Sequence, residues 1–378
     1  MGRSHDVLVI GAGIVGTACA LALREAGMDV GLVDAGSPGA GVTAAGMGHL
    51  VALDESAAEL DLCLLSLGLW RDFFAAHPGV GQEQHCGTLW VAENEHQLIE
   101  AARRAERLAA RGCDAEPLTA SQLRKLEPAL RHGLCGGVRV RGDSVVYPPA
   151  VADFLARRLL DLGGALYLGQ RVQSIARGEV TLANGDALCA AHVIVAAGAQ
   201  VRQLLPEVPV SGRKGHLAIT DRYPGTLRHK VVSMNYGQAA AGDDALAVAA
   251  NVQPRATGPW LVGSCRQERQ VDTSVDPVVL ASMLRSAISL FPCLLQMNIV
   301  RTWAGMRPAS PDGLPLVGAH PGRPGVWLAC GHEGLGVTTA FGTARLLADQ
   351  LLGRASQIDA GPFAPARFSA LERMQHGP

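Results

Sequence analysis

Asp6-Val7-Leu8-Val9-Ile10-Gly11-Ala12-Gly13-Ile14-Val15-Gly16-Thr17-Ala18-Cys19-Ala20-Leu21-Ala22-Leu23 decides the fold. A short apolar run enters a GxGxxG turn, and the turn enters an alanine- and leucine-rich stretch of helical character. A second apolar run, Val30-Gly31-Leu32-Val33, ends in Asp34, eighteen residues beyond Gly16. Strand, turn, helix, strand and terminal acid together are a dinucleotide-binding βαβ unit. Gly11 permits the tight turn, Gly13 admits a pyrophosphate against bare backbone, and Gly16 lets helix and strand pack closely. The pyrophosphate then meets free N–H groups at the positive end of the helix dipole. Asp34 is the expected acceptor for the adenosine ribose hydroxyls.

The rest of the chain bounds the class. Its 378 residues predict two or three domains, or one large and one small. With 48% hydrophobic residues it can build a sizeable core. The formal net charge is −1 and there is no basic run, which argues against nucleic acid or an anionic membrane as partner. No run of uncharged apolar residues is long enough to span a bilayer, and the first strand starts too early for a secretory signal. The nine cysteines are odd in number and show no C-x-x-C pair, so they read as free thiols in a reducing cytoplasm.

Periodicity predicts helices over 56–77, 95–111, 150–162 (after Pro148-Pro149), about 276–290, and Gly336 to Leu352. Thr119 to Gln122 reads as a capping box. Short strands are expected at 87–92, 165–168, 172–175, 179–182 and 187–190, with Asn184-Gly185 as a type I′ hairpin turn. His192-Val193-Ile194-Val195-Ala196-Ala197-Gly198 reads as a buried parallel strand. Further strands are expected at 216–220, 231–234, 245–249, 260–264 and 325–329. Nucleotide-type segments (1–80, 143–210, 302–378) alternate with β-rich insertions (81–142, 211–301). The fold class is therefore α/β: a Rossmann-type dinucleotide domain interleaved with a β-rich α+β substrate domain.

Four further segments carry a family resemblance. Val193 to Gly198 resembles the second nucleotide signature of flavoproteins. Gly41-Val42-Thr43-Ala44-Ala45-Gly46-Met47 resembles the small-residue loop around pyrophosphate and flavin in glycine oxidases. Trp303-Ala304-Gly305-Met306-Arg307-Pro308 with Pro311-Asp312-Gly313-Leu314-Pro315 resembles the G-L-R-P…D-G-x-P block of D-amino-acid oxidases and dehydrogenases. Gly331-His332-Glu333-Gly334-Leu335-Gly336-Val337-Thr338 resembles their flavin loop. In this order the motifs resemble the FAD-dependent D-amino-acid oxidase/glycine oxidase family, with a glutathione-reductase-like FAD domain. The tail looks most like the flavin (beta) subunit of D-hydroxyproline dehydrogenase and opine oxidase complexes.

That resemblance implies FAD as cofactor and oxidation of the CH–NH bond of a D- or secondary amino acid by hydride transfer to flavin N5. Other subunits of an electron-transfer complex are the implied partners. Arg307 is implied as a bidentate fork for the substrate carboxylate, a geometry that suits guanidinium. The implied FAD contacts are Gly11, Gly13, Ile14, Val15, Gly16, Asp34, Ala35, Thr43, Ala44, Ala45, Gly46, Met47, Val172, Ala197, Gly198, Gly305, Arg307, Gly331, Glu333, Gly334, Leu335, Gly336, Val337 and Thr338. Gly336 is expected to open the last helix, its dipole facing the flavin N1–C2=O edge. Met47 is placed against the flavin ring or in the core. Tyr236 is a candidate substrate contact or a core tyrosine. His332 joins the catalytic set, more as an orderer of its loop than as a base, and His49 is weighed as a flavin attachment point against a structural role.

The chain departs from the family pattern at Gln200-Val201, where Trp-Ser is common, and at Glu333, where a small or neutral residue is common. Glu333 is open to two readings: a selector of cationic or hydroxylated substrates, or a face toward a partner subunit. The rival functions are an oxygen-using glycine or sarcosine-type oxidase and a non-catalytic flavin relay. An NAD-dependent enzyme is disfavoured by the interleaving.

Overall fold

The computed structural model describes residues 4–176, 178–235, 246–268 and 272–368. The opening apolar run forms the strand Ser4–Ile10, and Ile14–Glu25 forms the helix behind it. Ala18, Cys19, Ala20 and Leu23 on that helix are fully or almost fully buried. The strand lies at the centre of the first sheet. Its neighbours are Val30–Asp34 on one side and Ala187–Val195 on the other, both parallel. Ala165–Leu168 extends the parallel order beyond Val30–Asp34, and Val326–Cys330 extends it beyond Ala187–Val195. Helices Pro148–Asp161, Ala57–Ala76 and Ala340–Leu351 share an apolar core with Ile14–Glu25 on one face.

Among the described residues the second sheet has eight strands. Its strand order runs Ile299–Ala309, Ser211–Arg222, Pro259–Gln267, Leu246–Pro254, Lys230–Ser233, Thr88–Ala92, Gly136–Val140, Ala115–Thr119. Helix Pro277–Leu290 packs on it through Met283, Ala287 and Leu290, and Glu95–Ala109 does so through Ala101, Ala105 and Leu108.

Several expectations hold and several are corrected. The capping box forms, with Thr119 and Gln122 bonding reciprocally. The strands expected at 187–190 and 192–198 are one strand, Ala187–Val195, because no turn residue separates them. Its first half pairs antiparallel with Glu179–Leu182 and its second half runs parallel to the central strand. The Asn184-Gly185 turn is not type I′. Gly185 has φ +90° but Asn184 is not left-handed, and Gly185 N donates to Leu182 O while Leu182 N donates to Asp186 O. That is a type I turn closed by a glycine bulge. The last helix begins at Ala340, not Gly336, with Thr339 as its N-cap. Ile299–Ala309, absent from the strands read in the sequence, pairs along its length with Ser211–Arg222. The expected division at 301/302 therefore cuts a strand of the second sheet. Among the described residues no helix is long and apolar enough to cross a membrane.

Candidate active site

A cavity of about 790 Å³ lies between the two sheets. At one end it meets the glycine turn. Gly11 has φ +111°, and a Cβ there would stand 2.4 Å from Ala196 O. A Cβ on Gly16 would stand 1.8 Å from Gly11 O, so helix and turn are in direct backbone contact. The first intrahelical bond is Thr17 N to Gly13 O. Ile14 N is taken by Thr43 Oγ1 at 3.1 Å, and the N–H groups of Val15 and Gly16 remain at the open helix end. Asp34 closes this end. Its Oδ2 accepts from Ala12 N at 2.6 Å and its Oδ1 from Gly36 N at 2.7 Å. Each oxygen keeps a lone pair for a ribose hydroxyl.

The far end is built by the second sheet and the loop after Cys330. Arg307 stands on Ile299–Ala309, opposite Arg213 in the register. Its Nη1 donates to Cys265 O at 2.9 Å. Gly215, two residues on from Arg213, makes room for it: a Cβ there would lie 2.5 Å from Arg307 Nη2. The loop is pinned to the same strand by a bridge between Ala309 and His332, and Glu333 N donates to Pro308 O at 2.6 Å. The loop's far side is held by Thr338, whose hydroxyl donates to His49 O and whose carbonyl accepts from Ser66 and Trp70.

The titratable groups are specialised. His332 is buried, bonds Thr343 Oγ1 at 2.9 Å, and burial pushes its imidazole down to about 4. It orders the loop as a neutral ring. His49 donates from Nε2 to Gly334 O at 3.1 Å. Burial, then Lys230, then Arg307, hold it well below the usual imidazole range. Glu333 adopts φ +46°, which is costly for a non-glycine residue. Its carboxylate bridges Arg213 at 3.0 Å and Arg266 at 2.6 Å, so it ties the loop to two strands of the second sheet.

Of the expected contacts, Gly11, Gly13, Ile14, Val15, Asp34, Ala35, Thr43, Ala45, Gly46, Met47, Val172, Ala197, Gly198, Gly305 and Arg307 line this one cavity. So do His332, Glu333, Gly334, Leu335, Gly336 and Val337. Gly16, Ala44, Gly331 and Thr338 stand behind the lining; Ala44 is exposed and Thr338 is a buried strut. The helix dipole expected at Gly336 starts at Ala340, so the loop's own backbone faces the cavity. Met47 is both a lining and a packing residue, clustered with Leu217 and Leu261. Tyr236 lies outside the described residues. The sequence reading missed Gly215, Lys230 and Asn251, which also line the cavity. All three fall just outside the strands expected at 216–220, 231–234 and 245–249, because the observed strands Ser211–Arg222, Lys230–Ser233 and Leu246–Pro254 extend beyond those bounds.

The description "DAO: FAD dependent oxidoreductase" matches residues 6–350. The chain belongs to this family. A glycine oxidase of Pseudomonas aeruginosa is 30% identical over 96% of this chain and 99% of its own length. D-amino acid dehydrogenase 2 of the same organism is 30% identical over 96% and 98%. The crystal structure of glycine oxidase from Geobacillus kaustophilus superposes with a TM-score of 0.86 at 25% identity, covering 97% of this chain and 99% of that one. FAD is the cofactor of the family, and the chain is an FAD-dependent enzyme of the amino-acid oxidase and dehydrogenase class. The cavity fits the group. Gly11 and Gly13 present bare backbone to the cavity, the open helix end offers donors, and Asp34 offers acceptors.

Proposed function

We propose that this enzyme oxidises the CH–NH bond of a D- or secondary amino acid to an imine, with Arg307 anchoring the substrate carboxylate. The observation that carries this is the placing of Arg307. Its guanidinium shares a cavity with the dinucleotide turn, and its strand is bridged directly to the Gly331–Thr338 loop. A planar fork holds a carboxylate in one orientation, which fixes the Cα–H direction. FAD, when bound, supplies the two-electron acceptor. In the substrate the Cα–H bond breaks, its electron pair leaves with the hydrogen, and the nitrogen lone pair forms the C=N bond. The substrate must therefore bind as the neutral amine. His332 and His49 are both held neutral, so neither adds a cation to oppose the developing iminium. The iminium then loses its N–H proton to water, or is hydrolysed.

Within this reading D-hydroxyproline is one candidate substrate and the flavin subunit of a dehydrogenase complex a candidate role, both supported by the resemblance of the tail motif. Hydrogen cyanide synthase subunit HcnC of Pseudomonas aeruginosa, 27% identical over 97% of this chain, supports the complex. The glycine oxidase relatives support a second reading, a self-sufficient oxidase. A panel of D-, L- and N-alkyl amino acids, D-hydroxyproline included, tests the reaction by anaerobic bleaching of the flavin. Bleaching by amines alone is the expected result; no bleaching by any amine overturns it. Peroxide formed as fast as dye is reduced would select the oxidase.

A further inference from the structure

The cavity has a second polar end. The Lys230 strand stands fourth from the Arg307 strand in the second sheet. At about 4.8 Å per strand their backbones are about 19 Å apart. Lys230 and Val232 share a face by strand alternation, and the register sets Asn251 and Trp90 beside Val232. All four line the cavity.

Lys230 is only 3% exposed. Among the described residues its Nζ makes no hydrogen bond and has no carboxylate within ion-pair distance. Its electrostatic neighbours are Asp143, the Cys86 thiol and Arg104. Asp143 is buried outside the cavity lining and is bonded to Ala52 N. Asp143 Oδ2 is likewise without a hydrogen bond among the described residues, so the two opposite charges attract without closing an ion pair, and Lys230 alone of the two lines the cavity. Asn251, 5% exposed, has an Oδ1 without a partner among the described residues. A buried polar atom left unmet costs about 1–3 kcal/mol, so no bond at Oδ1 holds the Asn251 amide in this orientation. Burial pushes Lys230 down to about 8, so it is an ammonium at neutral pH. His49 feels both Lys230 and Arg307 and is neutral, so it puts no competing charge between them.

We propose that Lys230, with Asn251 beside it, is a second anchoring subsite for an anionic oxygen group. The substrate is then an amino acid or secondary amine whose second carboxylate lies several bonds from the first. This rests on reading Arg307 as the first anchor. Lys230 takes the distal carboxylate by a charge-assisted hydrogen bond. A half-turn of the Asn251 amide presents Nδ2 as a second donor.

The holoenzyme tests this with 2-aminoadipate against norleucine, each as D and L. Wild type should favour 2-aminoadipate by about tenfold or more in kcat/KM, the size of one charge-assisted bond. Lys230→Met should abolish that ratio while norleucine turnover changes little, and Lys230→Arg should keep part of it. Should Lys230→Met fail to hold FAD, Lys230→Met with Asp143→Asn removes both buried charges and serves instead. A wild-type ratio near one, equal losses on both substrates, or faster turnover of D-hydroxyproline than of any dicarboxylate would overturn the proposal. Binding separates this from the reaction itself. Adipate should perturb the flavin spectrum more tightly than hexanoate, and only with Lys230 present. If no amine bleaches the flavin but this perturbation holds, the reaction reading falls and the subsite stands.

Discussion

The two ends of the cavity are made in different ways. The cofactor end is backbone: Gly11, Gly13, the open helix end and one acid, all within residues 11–34. The end we propose for the substrate is side chains from several strands and one loop, spread from His49 to Glu333. The first is close-packed and has no slack, since added atoms would collide with carbonyl oxygens. The second holds charges on side chains that can be changed without moving the backbone. Damage to the first should therefore remove the cofactor, and damage to the second should spare the cofactor and change the chemistry.

The largest expected effect is at the cofactor end. Gly11→Ala sets a Cβ against Ala196 O in a left-handed backbone and should cost about 3 kcal/mol or more. Purified protein should lose its flavin absorbance and melt lower. Retention of FAD at the wild-type ratio would break the comparison. Next is Arg307→Ala, expected to lower kcat/KM about 30- to 3,000-fold, the cost of removing one partner of a buried charge pair. Flavin content should fall less than in Gly11→Ala, since the diphosphate end is untouched, and Arg307→Lys should recover only part of the activity because ammonium has no fork. Smaller still is Glu333→Gln. It weakens the ties to Arg213 and Arg266 that join the loop to the second sheet. A severalfold rise in KM with a modest fall in melting temperature is expected, with FAD still bound. If Glu333→Gln instead emptied the protein of flavin, the two ends would not be separable.

The same contrast governs what could be read from the chain. The central strand, helix and acid are local, so their pattern alone placed them, and the parallel order around Ser4–Ile10 follows. Ile299–Ala309 escaped because its Gly-, Arg- and Pro-rich end masks the alternation of a strand. Ala187–Val195 was divided because its two halves keep different partners. Tyr236 drew notice only for its rarity, whereas Lys230 and Asn251 reach the cavity through strand register.

By itself, then, the sequence determined the dinucleotide turn, the interleaving and the family, because each depends on short spacings and backbone sterics. Tertiary structure decided the rest. It bridged His332 to Ala309, cleared Gly215 for Arg307, and buried Lys230 in the lining of the cavity. These depend on which strands lie side by side, and strand order is set by the burial of whole sheet faces, not by any local run of residues.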